Sequence, residues 1–206
     1  MNKTPKRLGK DAILKMTQLA ILTAIVFVFQ MLGSFIHIGP TSISLVLVPI
    51  VLGAIIIGPG AGAFLGFVFG AITFWAGVSG TDPFTNVLFV SQPFATALIC
   101  FGKAILAGLG AGFIYKAVEK KNKLVAAILA AAAAPVINTG IFILGGLTLV
   151  SGTLNANFVS GTTLIYFLVI VCAGINFIAE FFVNLIVSPI IHTVARVVAK
   201  SKRFYK

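Results

Sequence analysis

Apolar positions along the chain fall into six long runs, parted by short polar or glycine- and proline-rich breaks. They cover about residues Ala12–Phe35, Ser42–Ile57, Ala61–Val78, Pro93–Val118, Leu124–Val150 and Thr163–Val198. Most approach or exceed the roughly 20 residues that cross a bilayer as a helix. The period-two alternation of a membrane barrel strand is absent, and a helix satisfies its own backbone in lipid. Gly58-Pro59-Gly60 marks a tight break between the second and third runs. The sixth run is long enough to leave the membrane after Pro189. The first starts on basic residues, but its apolar stretch exceeds the roughly 7–15 residues of a signal peptide, so it is read as a retained helix. The pattern predicts an all-α integral membrane protein with six transmembrane helices in a single domain over residues 1–206.

Composition agrees and narrows the class. Hydrophobic residues make up 59% of the chain and charged residues 9%, against about 25% charged in a soluble domain. A water-facing surface cannot be coated with so few charges, and a disordered chain would not be so apolar. The net charge of +11 would suggest nucleic acid in a soluble protein, but here its placement excludes that partner. Five basic residues (Lys3, Lys6, Arg7, Lys10, Lys15) precede or open the first run. Four (Lys116, Lys120, Lys121, Lys123) surround the fourth break, and five (Arg196, Lys200, Lys202, Arg203, Lys206) end the chain. Six spans put all three clusters on one side, which the positive-inside rule makes cytoplasmic. Both termini are therefore expected to be cytoplasmic, with basic tails at 1–11 and 199–206.

The connections expected on the other side are longer: about 37–41, 79–92 and 151–162, rich in Gly, Ser, Thr, Asn and Pro. Three such loops on one face fit either an outward-facing lidded pocket or plain solvated loops. His37 is read as a solvated loop residue. Trp75, with Thr73 and Phe74, fits either an interfacial anchor or a pocket wall.

Ionisable side chains within a membrane are functional candidates by default, and two are clear: Lys103 and Glu180. Asn176, Glu180 and Asn184 are spaced by four and share a helix face. Asn138 and Thr139 follow Pro135, which frees a carbonyl and can bend its helix. At 1.5 Å rise per residue, Lys103, Asn138 and Asn176 lie about 15–20 Å in from the outer side. One reading is a binding site with apolar walls and a few convergent polar groups; the other is a Lys103–Glu180 ion pair acting as a strut. Asn86 and Gln92, in the second outer connection, complete the candidate set with Trp75.

Small residues recur four apart: Ala20 and Ala24; Gly62, Gly66 and Gly70; Ala104, Gly108 and Gly112. This spacing admits close helix packing, and the first pair could instead meet another subunit. Cys100 and Cys172 are read as small lipid- or core-facing residues rather than a disulfide. There is no phosphate-binding G-x-x-x-x-G-K-[ST], no H-E-x-x-H and no G-x-S-x-G. Neither enzyme, metal nor cofactor is expected.

Ala20-x-x-x-Ala24, Pro135-Val-Ile-Asn138-Thr139-Gly140, and Asn176-Phe-Ile-Ala-Glu180 with Asn184 and Ser188-Pro189 together resemble the S components of energy-coupling factor (ECF) vitamin transporters. The segments from the fifth and sixth runs look closest to the pantothenate type. The resemblance spans nearly the whole chain and implies a high-affinity substrate-binding subunit of an ATP-driven importer in the plasma membrane. It implies partners too: a transmembrane coupling subunit, docked through Ala20 and Ala24, and two cytoplasmic ATPases. Pantothenate is the implied substrate, with Lys103 for its carboxylate and Asn138 and Asn176 for its amide and hydroxyls. Another vitamin (riboflavin, folate, cobalamin or a pyridoxine type) and a solitary secondary transporter using Glu180 remain alternatives.

Overall fold

The computed structural model describes residues 9–33, 37–38, 41–42 and 45–204. Helix α1 spans Lys10–Gly33 and leads into a two-residue antiparallel strand pair, β1 His37–Ile38 and β2 Thr41–Ser42, with His37 opposite Ser42. Then follow α2 Leu47–Ile56, α3 Pro59–Ser79, α4 Pro83–Ser91, α5 Pro93–Val118, α6 Lys123–Thr148 and α7 Ser151–Asn157. A last helical stretch runs through α8 Leu164–Tyr166, a π-helical segment Phe167–Ala173 and α9 Gly174–Phe204. The expected tail residues Lys3, Lys6, Arg7 and Lys206 lie outside the described residues, as does the centre of the first connection.

Local chemistry sets most boundaries. Gly58 takes φ +133°, open to glycine and strained for other residues, and hands over to Pro59 in the first turn of α3. Gly80, at φ +75°, closes the same helix. Asp82 caps α4: its Oδ1 accepts from the Thr85 N–H at 3.1 Å and its Oδ2 from the Thr85 hydroxyl at 3.0 Å. The Asn122 Oδ1 caps α6 by accepting from the N–H groups of Leu124 and Val125. Pro135 stands inside α6 without ending it.

Five stretches among the described residues are long and apolar enough to cross a membrane: α1, α3, α5, α6 and Leu164–Val198. The second apolar run behaves differently. Ser42 belongs to β2, and the helix that follows has only 10 residues, about 15 Å at the helical rise. The two long connections expected as loops each carry a short helix, α4 and α7. In the first, Asp82-Pro83 is a helix start signal standing inside what composition alone reads as loop.

The bundle is built on α3 and α5, whose backbones touch. A Cβ added to Gly70 would sit 2.8 Å from the Cys100 carbonyl oxygen, and one on Gly112 would sit 2.6 Å from the Pro59 Cα. One on Gly66 would collide with the Ala104 carbonyl. Around this seam α1 and α2 bury Leu22, Val26, Leu47 and Ile50 against Leu65 and Phe69. A second cluster packs the alanine face of α6 (Ala126, Ala127, Ala130, Ala131, Ala134) against Ala111, Tyr115 and Ile191. A third, holding Phe84, Leu88, Ile99, Leu154 and Leu168, sets α4 and α7 over the opposite end.

Helix α9 has its polar side inward. Asn176, Glu180, Asn184 and Ser188 are buried, while Ile175, Ile178, Phe182, Ile186 and Ile190 are exposed. That inversion is what a helix between a polar interior and lipid requires.

Three substitutions probe this packing. Gly66→Val is expected to destabilise the detergent-solubilised protein by on the order of 3 kcal/mol or more, because backbone on both sides prevents relaxation. Gly140→Ala, with open space around it, is expected to leave the melting temperature unchanged or slightly raised. Asn86 donates from its Nδ2 to the Gly77 carbonyl at 2.7 Å and so holds α4 onto α3. Asn86→Ala is expected to cost about 1 kcal/mol and to speed hydrogen exchange in α4 more than in α6.

Candidate functional site

Between the α3–α5 seam and the short helices lies a cavity of about 710 Å³, within the roughly 300–1,000 Å³ typical of small-molecule pockets. It opens where α1 and α3 end and α5 begins. Its length along α3, from Phe69 to Ser79, is about 15 Å. Phe69, Ile72, Phe84, Leu88, Ile99 and Phe142 supply apolar walls. Ser79, Thr81 and Asp82 form a polar rim. The floor is made by Lys103, Asn138 and Glu180, ten residues along α5 from Pro93 in the case of Lys103 and hence about 15 Å deep.

Lys103 reaches this floor between two aromatic faces. Its Nζ lies 5.4 Å from the centroid of Phe142 and 5.9 Å from that of Phe69, within the range of cation–π attraction. A compact ammonium framed by rings, in a mostly apolar chamber, offers strong attraction to an anionic ligand group. Asn138 is 6% exposed, and its Oδ1 has no hydrogen-bond partner among the described residues. Beyond the floor lies a smaller space of about 70 Å³, bordered by Lys103, Asn138, Thr139, Phe142, Asn176 and Glu180 among others. Lys103, Asn138, Phe142 and Glu180 border both spaces.

The α9 amides are held in place from within the helix. Asn176 Nδ2 donates to the Cys172 carbonyl at 3.3 Å, and Asn184 Nδ2 to the Glu180 carbonyl at 2.8 Å. Cys172 belongs to the π-helical segment, so the wider turn lies immediately before the polar face. Such turns frequently accompany functional sites. Cys100 and Cys172 are free and buried.

The structure thus brings Lys103, Asn138, Thr139, Asn176 and Glu180 together at one depth on three helices. Trp75 borders the cavity near its rim and is 68% exposed, so it is both wall and surface residue. Asn86 and Gln92 border neither space. Asn86 is engaged with Gly77, and the Gln92 carbonyl accepts from the Thr96 hydroxyl at 2.9 Å. Ala20 and Ala24 border neither space and are exposed on α1, on the N-terminal side of the lining residue Phe27.

Helix α1 also supplies cavity residues that no motif in the sequence marks: Phe27, Gln30 and Met31. Gln30 has no charged or amide neighbour at helical spacing to mark it, unlike Asn176, Glu180 and Asn184 on α9. An amide within a membrane helix is a weaker form of the signal an ionisable residue gives, and Gln30 carries it. From the connection 79–92 the cavity takes Ser79, Thr81 and Asp82 rather than Asn86 and Gln92.

A sequence profile described as "ECF transporter, substrate-specific component" matches residues 14–192 of the chain. The chain is also 35% identical over 150 residues to the "Pantothenic acid transporter PanT" of Lactococcus lactis subsp. cremoris (strain MG1363). That match covers 64% of this chain and 74% of the relative.

Proposed function

The chain belongs to the substrate-specific component family of ECF transporters, and from that premise we propose that it is the high-affinity binding subunit of an ATP-driven importer for pantothenate. The observation that carries the reading is Lys103, a cation at the floor of a largely apolar cavity long enough for an extended small molecule. The match to a pantothenic acid transporter supports that substrate. The chain is a multi-pass protein of the cell membrane, and its family is one of transporter components rather than enzymes.

In this reading Lys103 holds the carboxylate, while Asn138, Thr139 and Asn176 bond the amide and hydroxyls. Glu180 shares the floor and orients polar groups there. Trp75 forms part of the wall near the rim, and Asn86 and Gln92 act indirectly by fixing the segment that shapes it. Six spans, with α2 as a short second one, place the three basic clusters in the cytoplasm and the rim outside. The vitamin then enters from outside, and ATP is hydrolysed by two cytoplasmic ATPases acting through a transmembrane coupling subunit.

Ala20 and Ala24 are the docking residues for that subunit. Both are exposed on α1, and so small a surface lets a partner helix come close. The same stripe continues four and three residues at a time into Phe27 and Met31, which border the cavity. Docking and substrate binding therefore share one helix.

Equilibrium binding of pantothenate to the purified chain is the direct test. Lys103→Met is expected to weaken it at least about 30-fold, since a hydrogen-bonded charge contributes on the order of 2–3 kcal/mol, with the ligand-free melting temperature largely retained. Affinity equal to wild type in this variant would remove the site. Trp75 is the chain's single tryptophan, so ligand titration is expected to change its fluorescence. In liposomes, uptake is expected only with the coupling subunit, both ATPases and ATP. Uptake by the chain alone under a proton gradient would point instead to a secondary transporter using Glu180.

A further inference from the structure

Among the polar groups bordering the cavity, two carry a side-chain oxygen that is shut off from solvent and has no hydrogen-bond partner among the described residues: Asn138 Oδ1 and Gln30 Oε1. The first belongs to the floor already described. The second stands apart. Gln30 is on α1, about two turns beyond Leu22, which packs beside Leu65, and so lies between the floor and the rim, about 9 Å above the level of Lys103 by the helical rise. A buried carbonyl without a donor is costly, and a ligand that supplies one recovers the loss.

We propose that Gln30 is a specificity-determining residue that accepts a hydrogen bond from a hydroxyl of the bound ligand. The placement fixes the ligand's direction. An anionic group on Lys103 at the floor leaves the hydroxyl-bearing end beside Gln30 and the rim of Ser79, Thr81 and Asp82. This end of the cavity is rich in acceptors: the Gln30 carbonyl, the Asp82 carboxylate and the two hydroxyl oxygens. The floor holds Lys103, the one basic residue among the described residues that borders the cavity, beside Asn138 and Glu180. With that basic group at the floor, the cavity suits a linear molecule with a carboxylate at that end and hydroxyl donors at the other.

The energetic asymmetry strengthens the selection. An analogue lacking the hydroxyl leaves the Gln30 carbonyl shut off and unpaired, a mismatch that a site built around a hydrogen bond rejects strongly. Phe27 and Met31 line the same wall as Gln30, and neither side chain has an N–H or O–H to donate to that carbonyl. Gln30 is also the polar residue by which α1 faces the site, so ligand binding fastens the outer half of a helix that otherwise buries only Leu22, Val26 and Gly33.

This inference rests on pantothenate as the substrate, and the test separates the two. Wild type, Gln30→Met and Lys103→Met would be titrated with pantothenate, with its analogues lacking either hydroxyl, and with the alcohol that replaces its carboxylate. Wild type is expected to prefer pantothenate over one of the deoxy analogues by 10-fold or more. Gln30→Met, close in size and shape, is expected to bring that ratio near one while keeping the preference for carboxylate over alcohol. Lys103→Met is expected to do the reverse. A Gln30→Met protein that keeps the full hydroxyl preference overturns the proposal. So does a variant in which both preferences fall together, since that is the mark of general structural damage. If wild type binds no pantothenate, the substrate reading fails. The Gln30 assignment is then decided by the vitamin that a thermal-shift screen identifies, and unchanged affinity for it in Gln30→Met overturns the assignment.

Discussion

The contact between α3 and α5, backbone against backbone, is the constraint on which the rest depends. Lipid gives helices no hydrophobic reason to associate, so close approach and van der Waals contact must supply it. Gly62, Gly66 and Gly70 meet Gly108, Ala104 and Cys100 with no room for a further carbon. The seam fixes where Phe69 and Lys103 sit relative to each other, and so where the floor of the cavity lies. With side chains between the two helices, the ammonium of Lys103 would lose the ring of Phe69 that frames it.

A membrane protein that binds a polar molecule must keep polar groups in its interior without letting them collapse onto one another. Here the solution is spatial. Small residues press the helices together at the seam, and the alanine face of α6 closes the opposite end. Bulky aromatics hold the helices apart around the cavity: Phe69, Phe84 and Phe142 all border it. The buried amides of α9 are tethered to carbonyls of their own helix, which keeps them oriented when the chamber is unoccupied. Exposed isoleucines on the other side of α9 meet the lipid.

Helix α1 has the opposite character. Few of its side chains are buried, yet it contributes Phe27, Gln30 and Met31 to the cavity and exposes Ala20 and Ala24 on the same stripe. If α1 takes the docking and binding roles proposed for it, so loosely packed a helix would couple the two, because ordering it for one lowers the entropic cost for the other.

Much of this was readable from the chain alone. Apolar run length identified the long helices, and α5 begins and ends where the pattern places it, at Pro93 and Val118. Charge within an apolar run singled out Lys103 and Glu180, and four-residue spacing put Asn176 and Glu180 on one face. These signals are local: a helix must satisfy its backbone, and a charge in lipid must have a reason. Tertiary structure decided what local signals do not carry. The shortness of α2, the helices within the connections and the π-helical turn before Gly174 depend on neighbours packed against them. Gln30 reads as one more amide in a helix until the fold turns it toward a cavity whose other walls are more than 35 residues away in sequence. Which polar residues converge is a property of the packing, and the packing is set by glycines whose spacing announces close contact without naming the partner.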